Sequence, residues 1–418
     1  MSVPKLRFPD FRDAGEWEIK EFSKYIVLYR GSSPRPIQNY LSIDSSGVNW
    51  IKIGDTKSAK NFVISQVEEK ITPEGAKKSR KVNVGELILA NSMSYGKTYQ
   101  VAIDGYIYDG WFVLRDYEKY FDKQFLLQLL NSEYMQSQYE RFSAGGIVQN
   151  ISSDIVYKTV LPHTLLKEQK KIADCLSSID DRITLETQKL DTLKAHKKGL
   201  MQQLFPAEGE ILPRFRFPEF RNAPEWEEKK LGDICKLQRG KFSYRPRNEP
   251  RFFGGKYPFI QTGDVVKSNG GVVKASQSLN ELGLTVSKLF KPTIVLISII
   301  ANIGDTGILD YEACFTDNVA GLIPNAQISP YFLNSVMSGK KDYLNKIASQ
   351  SAQKSINIEI LEAVDILIPS LPEQQKIADC LSSIDEAIAA QSQAIELLKL
   401  HKKGLMQQLF PSVEEVKR

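Results

Sequence analysis

Apolar residues fall into two kinds of pattern along this chain. Across residues 172–204, Ile172, Leu176, Ile179, Ile183, Leu190, Leu193, Leu200 and Leu204 alternate spacings of four and three, skipping only Glu186 and Lys197. That is the seam of a long coiled-coil helix. The pattern returns at Ile377, Leu381, Ile384, Ile388, Ile395, Leu398, Leu405 and Leu409, with Gln391 and Lys402 at the skipped places. Pro206 and Pro411 end both helices after Phe205 and Phe410, and Ser370 with Glu373 forms a capping box at the second start. At about 1.5 Å per residue, some 35 residues make a rod of roughly 50 Å. Between the helices, runs such as VGELILANS and TIVLISIIANIG, punctuated by Gly, Asn and Asp, read as strands. FDKQFLLQLLNSEYMQSQYERF and SPYFLNSVMSGKKDYLNKIA read as short helices at matching places in the two halves.

The two patterns belong to a duplication. Residues 168–206 recur at 373–411 with 27 of 39 positions identical, and PKLRFPDFRDAGEWE at 4–18 recurs as PRFRFPEFRNAPEWE at 213–227. The segments between are far more divergent, sharing echoes such as Trp50-Ile-Lys-Ile-Gly54-Asp55 against Phe259-Ile-Gln-Thr-Gly263-Asp264, and Gly96 against Gly304. Self-similarity on this scale sets the architecture. The fold class expected is α+β: two mixed α/β domains alternate with two long helices that pack as an antiparallel coiled coil, with pseudo-twofold symmetry. The boundaries expected are 1–165, 166–206, 207–370 and 371–418. Near-identical helices beside divergent domains suggest one partner met twice and two unlike targets, one per domain. Exposed repeat residues such as Asp174, Ser177, Ser178, Gln202 and Gln203 are the partner surface expected on the helices.

Composition narrows the chemistry. The longest apolar run, Ile294 to Ala301, is too short for a membrane span, and the first residues carry charge and proline where a secretory signal needs an apolar core. A cytoplasmic protein with no membrane partner is expected. Four scattered cysteines, Cys175, Cys235, Cys314 and Cys380, read as reduced, buried thiols, and neither they nor the three histidines have metal-site spacing. His196 and His401 read as charge at helix C-termini. Gly199 and Gly404, inside the helices, imply either a kink or the close approach of another backbone. With 55 basic and 50 acidic residues, the balance permits a nucleic-acid partner without requiring one.

Catalytic fragments fail on inspection. Asp10 followed by Glu18-Ile-Lys20 mimics a metal-dependent nuclease pattern, but its repeat at Glu219 and Glu227-Glu-Lys229 marks a duplicated segment anchored by Trp17 and Trp226. Gly96-Lys97-Thr98 ends like a phosphate-binding loop, yet Asn91 stands where its first glycine belongs. No methyltransferase Asn-Pro-Pro-Tyr is present. Should a nucleic acid be the partner, the candidates for contact are basic side chains and amides near aromatics. They are Lys77, Lys78, Arg80, Lys81, Asn91, Tyr95 and Lys97 in the first domain, and Arg239, Lys241, Tyr244, Arg245, Arg247, Asn248, Arg251 and Asn302 in the second.

Over nearly its whole length the chain resembles the DNA-specificity (S) subunit of type I restriction-modification systems. The resemblance rests on the domain–helix–domain–helix order, on Leu-Pro-Glu373-Gln374 and its degenerate copy Leu166-Lys-Glu168-Gln169, on Lys-Ile-Ala-Asp-Cys-Leu-Ser-Ser-Ile-Asp, and on Lys-Gly-Leu-Met-Gln-Gln-Leu-Phe-Pro. It implies a non-enzymatic subunit whose two target-recognition domains read the halves of a bipartite site in double-stranded DNA. It also implies helices that set the spacing and dock two modification (methyltransferase) subunits, with restriction/translocase subunits joining. No cofactor would be bound by this chain; S-adenosylmethionine and ATP would belong to the partner subunits. A coiled-coil adaptor that binds proteins through both domains, without reading DNA, is the alternative.

Overall fold

The computed structural model describes residues 3–92, 96–143, 150–349 and 355–411. It divides into two compact units, one of Met1–Thr187 with Gln393–Arg418, the other of Gln188–Ser392. The long helices, Leu166–Leu204 and Leu371–Leu409, each contribute one half to either unit. Both stop one residue short of the position expected, a fraying-scale difference ahead of the prolines.

In the first unit, a sheet in the order Val27–Arg30, Trp111–Arg115, Leu87–Ala90, Thr98–Val101, Val63–Ile64 stands beside a sheet in the order Leu41–Ser42, Glu69–Ile71, Val48–Ile51, Gly105–Ile107, Arg80–Val82. A ribbon of Glu18–Glu21 with Val160–His163 closes the domain. The central strand of the first sheet shows why its sequence is apolar throughout. Leu87 and Leu89 face a helical layer that includes Phe125, Leu129 and Tyr139, while Ile88 and Ala90 face a second core with Ile51, Val82, Ile107 and Trp111. A strand covered on both faces cannot alternate apolar with polar.

The second unit repeats the design. Its sheets run Cys235–Arg239, Val319–Pro324, Ile294–Ser298, Thr306–Leu309 and Gln277–Leu279, Phe253–Ile260, Ala313–Phe315, Leu289–Phe290, with Glu227–Lys230 paired to Asp365–Ile368. Val295 and Ile297 meet the helical layer while Ile294 and Leu296 meet the second core. The echoes seen in sequence mark equivalent structural joints. Asp55 accepts the Lys52 amide at 2.7 Å and Asp264 the Gln261 amide at 2.9 Å, each pinning a strand-to-helix turn with a buried carboxylate. Gly96 and Gly304 both adopt left-handed backbone, with φ of 79° and 83°. A Cβ on Gly96 would lie 2.5 Å from the Tyr139 ring.

Within each unit the helix halves run antiparallel. In the first, Ile172, Ala173 and Leu176 pack with Leu405, Met406, Leu409 and Phe410, while Asp180 meets Lys402 at 2.7 Å. In the second, Ile377, Ala378 and Leu381 pack with Leu200, Met201 and Leu204, while Lys197 meets Asp385 at 2.6 Å. Two of the skipped seam positions are therefore lysines, each neutralised by the facing helix. Of the seam residues, Ile172, Leu176, Leu204, Ile377, Leu381, Ile395 and Leu409 are buried; Ile179, Ile183, Leu190, Leu193, Leu200, Ile384, Ile388, Leu398 and Leu405 are half-buried.

Three expectations change. The Glu373 carboxylate, expected to cap the helix start with Ser370, accepts both prongs of Arg216 at 2.7 Å. Cys175 and Cys380 are only half-buried, each one position before a buried seam leucine and so at the edge of the packed face, although burial still raises the Cys380 thiol and pushes Cys235 up to about 12. Among the described residues, nothing beyond the helix's own turns comes within 4 Å of a Cβ built on Gly199 or Gly404, so no close approach of another described segment explains either glycine. Among the described residues no helix is long and apolar enough to cross a membrane.

Candidate nucleic-acid interface

The helix starts do more than the sequence implied. Glu168 and Glu373 are buried, and each takes a two-pronged bond from an arginine of the duplicated segment, Arg7 at 2.7 and 2.8 Å and Arg216 at 2.7 and 2.7 Å. The neighbouring glutamines reach into the domain. Gln169 accepts the amide of Asp122, the N-cap of helix Lys123–Leu130, and Gln374 that of Ser329, the N-cap of helix Pro330–Gly339, both at 2.9 Å. The Glu-Gln pair thus welds each long helix to its domain.

On the second domain, the basic candidates gather where strand Cys235–Arg239 ends. Gly240 follows, its amide donating to the Val319 carbonyl at 2.9 Å; a Cβ there would fall 2.2 Å from the Thr316 carbonyl oxygen, so only glycine fits. The tight crossing brings Asp317 under the loop. Arg239 donates from Nε to the Asp317 carbonyl, while Arg245 and Arg247 donate to its Oδ2 at 3.0 and 2.8 Å. Arg245 also holds the Phe242 and Tyr244 carbonyls. Arg251 stacks over Tyr244, 4.8 Å from the ring centroid. Lys241 and Asn248 are exposed on the same loop. Burial by itself would raise the Asp317 carboxyl, but Arg247, Arg245 and the Thr316 hydroxyl outweigh it and hold the group below the usual range.

The first domain carries the same device, built from residues that composition did not flag. Gly31 donates to the Trp111 carbonyl at 2.8 Å, and a Cβ on it would lie 1.9 Å from the Tyr108 oxygen. Arg30 donates from Nε to the Asp109 carbonyl at 3.2 Å, and Arg35 stands 3.5 Å from the Asp109 carboxylate, whose other oxygen accepts the Ser33 hydroxyl at 2.6 Å. The Lys77–Lys81 run adjoins it. Arg80 donates to the Arg30 carbonyl at 3.1 Å and lies over Tyr29, the Ser32 hydroxyl donates to the Lys78 carbonyl, and the Lys78 ammonium lies over Tyr40. Lys77 and Lys81 are exposed.

Three candidates sit differently. Asn91 is buried, its amide donating to the Asp109 carbonyl at 3.0 Å, beneath the cluster rather than on it. Lys97 is half-buried, and burial lowers its ammonium against the opposing charge of Glu140. Asn302 is exposed on a loop tied to helix Lys341–Ala348 through Asn345 and Lys341. Tyr95 lies outside the described residues.

Reading by type missed Arg30, Arg35, Asp109 and Asp317. The signal was there in Arg30-Gly31 and Arg35-Pro36 against Arg239-Gly240 and Arg245-Pro246, but the second loop is one residue longer, so the offset slips from 209 to 210. Among the described residues no three His, Cys, Asp or Glu side chains are grouped to hold a metal.

The model of the type I restriction modification DNA specificity domain matches this chain twice, over residues 15–195 and 224–400. The chain belongs to that family. The type I restriction enzyme MjaVIII specificity subunit of Methanocaldococcus jannaschii is 24% identical over 428 residues, spanning 99% of this chain and 95% of its own. Among solved structures, the S subunit of a type I restriction-modification system from M. genitalium aligns with a TM-score of 0.61 at 14% identity, over 98% of this chain and 100% of its own. A chain from the structure describing complex assembly and conformational transition of the type I R-M system aligns at 0.59 and 20%, covering 94% and 97%. The family's fold is therefore this fold, two mixed α/β domains with two long helices.

Proposed function

We propose that each domain of this specificity-family chain reads one half of a bipartite site in double-stranded DNA, and that the long helices set the half-site spacing and dock two modification subunits. The observation that carries the proposal is the pairing of one repeated scaffold with two different basic loops. The repeated helices present the same exposed residues twice, Asp174, Ser178, Gln202 and Gln203 against Asp379, Ser383, Gln407 and Gln408. The loops, by contrast, differ in length and in their basic residues. Guanidinium groups suit base edges because their planar fork matches the paired acceptors of guanine in the major groove. The chain itself would catalyse nothing: adenine methylation with S-adenosylmethionine, and cleavage with ATP, would reside in modification and restriction subunits joined to it in the cytoplasm.

The adaptor alternative is separated by salt. When the chain is purified with its modification subunits, six or more phosphate contacts give a slope of log affinity against log salt of roughly −5 or steeper. Weak binding that salt leaves unchanged would favour the adaptor.

A further inference from the structure

The two arginine–aspartate clusters hold more than the bases of a half-site require. An exposed ion pair contributes little to stability, so three arginines drawn onto Asp317 are poorly explained as a stabilising device. A carboxylate is also a poor neighbour for phosphate, since it repels the backbone that the surrounding cations attract. Yet both domains place one at the same joint, beneath a glycine that admits nothing larger, with the first arginine bonded to its carbonyl and a later one facing its side chain. The side chains that face the aspartates are open to solvent: Arg35 is 82% exposed, Arg245 52% and Arg247 42%. Arg245 and Arg247 remain able to reach a ligand while hydrogen-bonded at one end, and Arg35 while standing beside its carboxylate at 3.5 Å.

We propose that Asp109 and Asp317 are positioning residues: each fixes the exposed arginines of its own domain in the orientation that meets base edges, and so determines the specificity of one half-site. The arrangement removes side-chain freedom before DNA arrives, which favours a fork-like contact with a base over a loose contact with phosphate. Asp317 serves Arg245 and Arg247; Asp109 serves Arg35. The inference rests on the proposed reading of DNA half-sites.

The test is single-molecule sequencing of adenine methylation in cells that carry the full chain with its modification subunits and no other adenine-methylating system. The native chain yields one split motif. Asp317→Ala relaxes discrimination roughly tenfold or more at one or more bases of one half only, and Asp109→Ala does so in the other half. The surface variants Arg247→Ala and Arg35→Ala, which leave the folded core untouched, relax the same halves as their aspartates, and Asp317→Glu restores part of the discrimination. An unchanged motif in Asp317→Ala, or relaxation spread over both halves, overturns the proposal. If Asp317→Ala abolishes methylation altogether, the isosteric Asp317→Asn decides: a relaxed half supports the role, and an intact or absent motif overturns it. A native chain that methylates no split motif overturns the half-site reading itself, and this inference with it.

Discussion

Gly199 and Gly404 occupy equivalent interior positions of the long helices, and open space surrounds the point where a Cβ would stand on each. Glycine in a helix interior costs about 1 kcal/mol relative to alanine through backbone entropy. G199A and G404A therefore each stabilise the isolated chain by about 1 kcal/mol, read as a higher urea midpoint; a lower midpoint in either variant would contradict the open surroundings. At this scale the sequence was least legible. Lys197 and Lys402 stood out as breaks in an apolar seam, but their partners Asp385 and Asp180 lie 188 and 222 residues away, and nothing local announces such a pairing. Glu373 shows the same limit. Three residues after Ser370 it has the spacing of a cap, and nothing local announces the two charge-assisted bonds it accepts from Arg216, 157 residues away. The basic loops show the same limit, for a run of charge reveals its type but not the aspartate on which it converges.

Elements were far easier to read. A seam of alternating three and four spacings over eight apolar positions leaves one conformation, and the two helices occupy Leu166–Leu204 and Leu371–Leu409. The short helices following each sheet also stand where their apolar spacing puts them, at Lys123–Leu130 with Glu133–Ser143 and at Pro330–Gly339 with Lys341–Ala348. The order of strands in the sheets was not legible, because pairing joins segments as distant as Val27–Arg30 and Trp111–Arg115, and a doubly covered strand gives no alternation to show its faces. Helix length is the quantity that the proposed spacing depends on. Inserting one heptad into both helices, so that the lysine–aspartate pairs keep their register, adds about 10 Å and lengthens the unread spacer by roughly three base pairs. The methylated motif reads the change directly, and a spacer of unaltered length would refute a spacing role for the helices.

At the scale of the whole molecule, the duplication is what carries the functional reading. Two copies of a helix at 27 identities in 39 positions beside two domains reduced to scattered echoes already separate what is shared from what differs. The structure deepens that contrast, since the divergent domains share the order of four strands in each sheet, with a fifth edge strand, among the described residues, only in the first domain, and share a buried aspartate turn, a left-handed glycine and an arginine–aspartate joint, while the loops these hold out differ. Family membership and fold follow from the matches to both halves, and DNA reading follows as the proposal that best explains two unlike basic loops on one scaffold. Its most direct test compares adenine methylation, by single-molecule sequencing, in the native host with and without this gene. The account predicts that deletion removes one split motif, its two halves separated by unread bases, and leaves every other methylated sequence in place. A methylome unchanged by the deletion, in cells where the modification subunits are expressed and active, would contradict it.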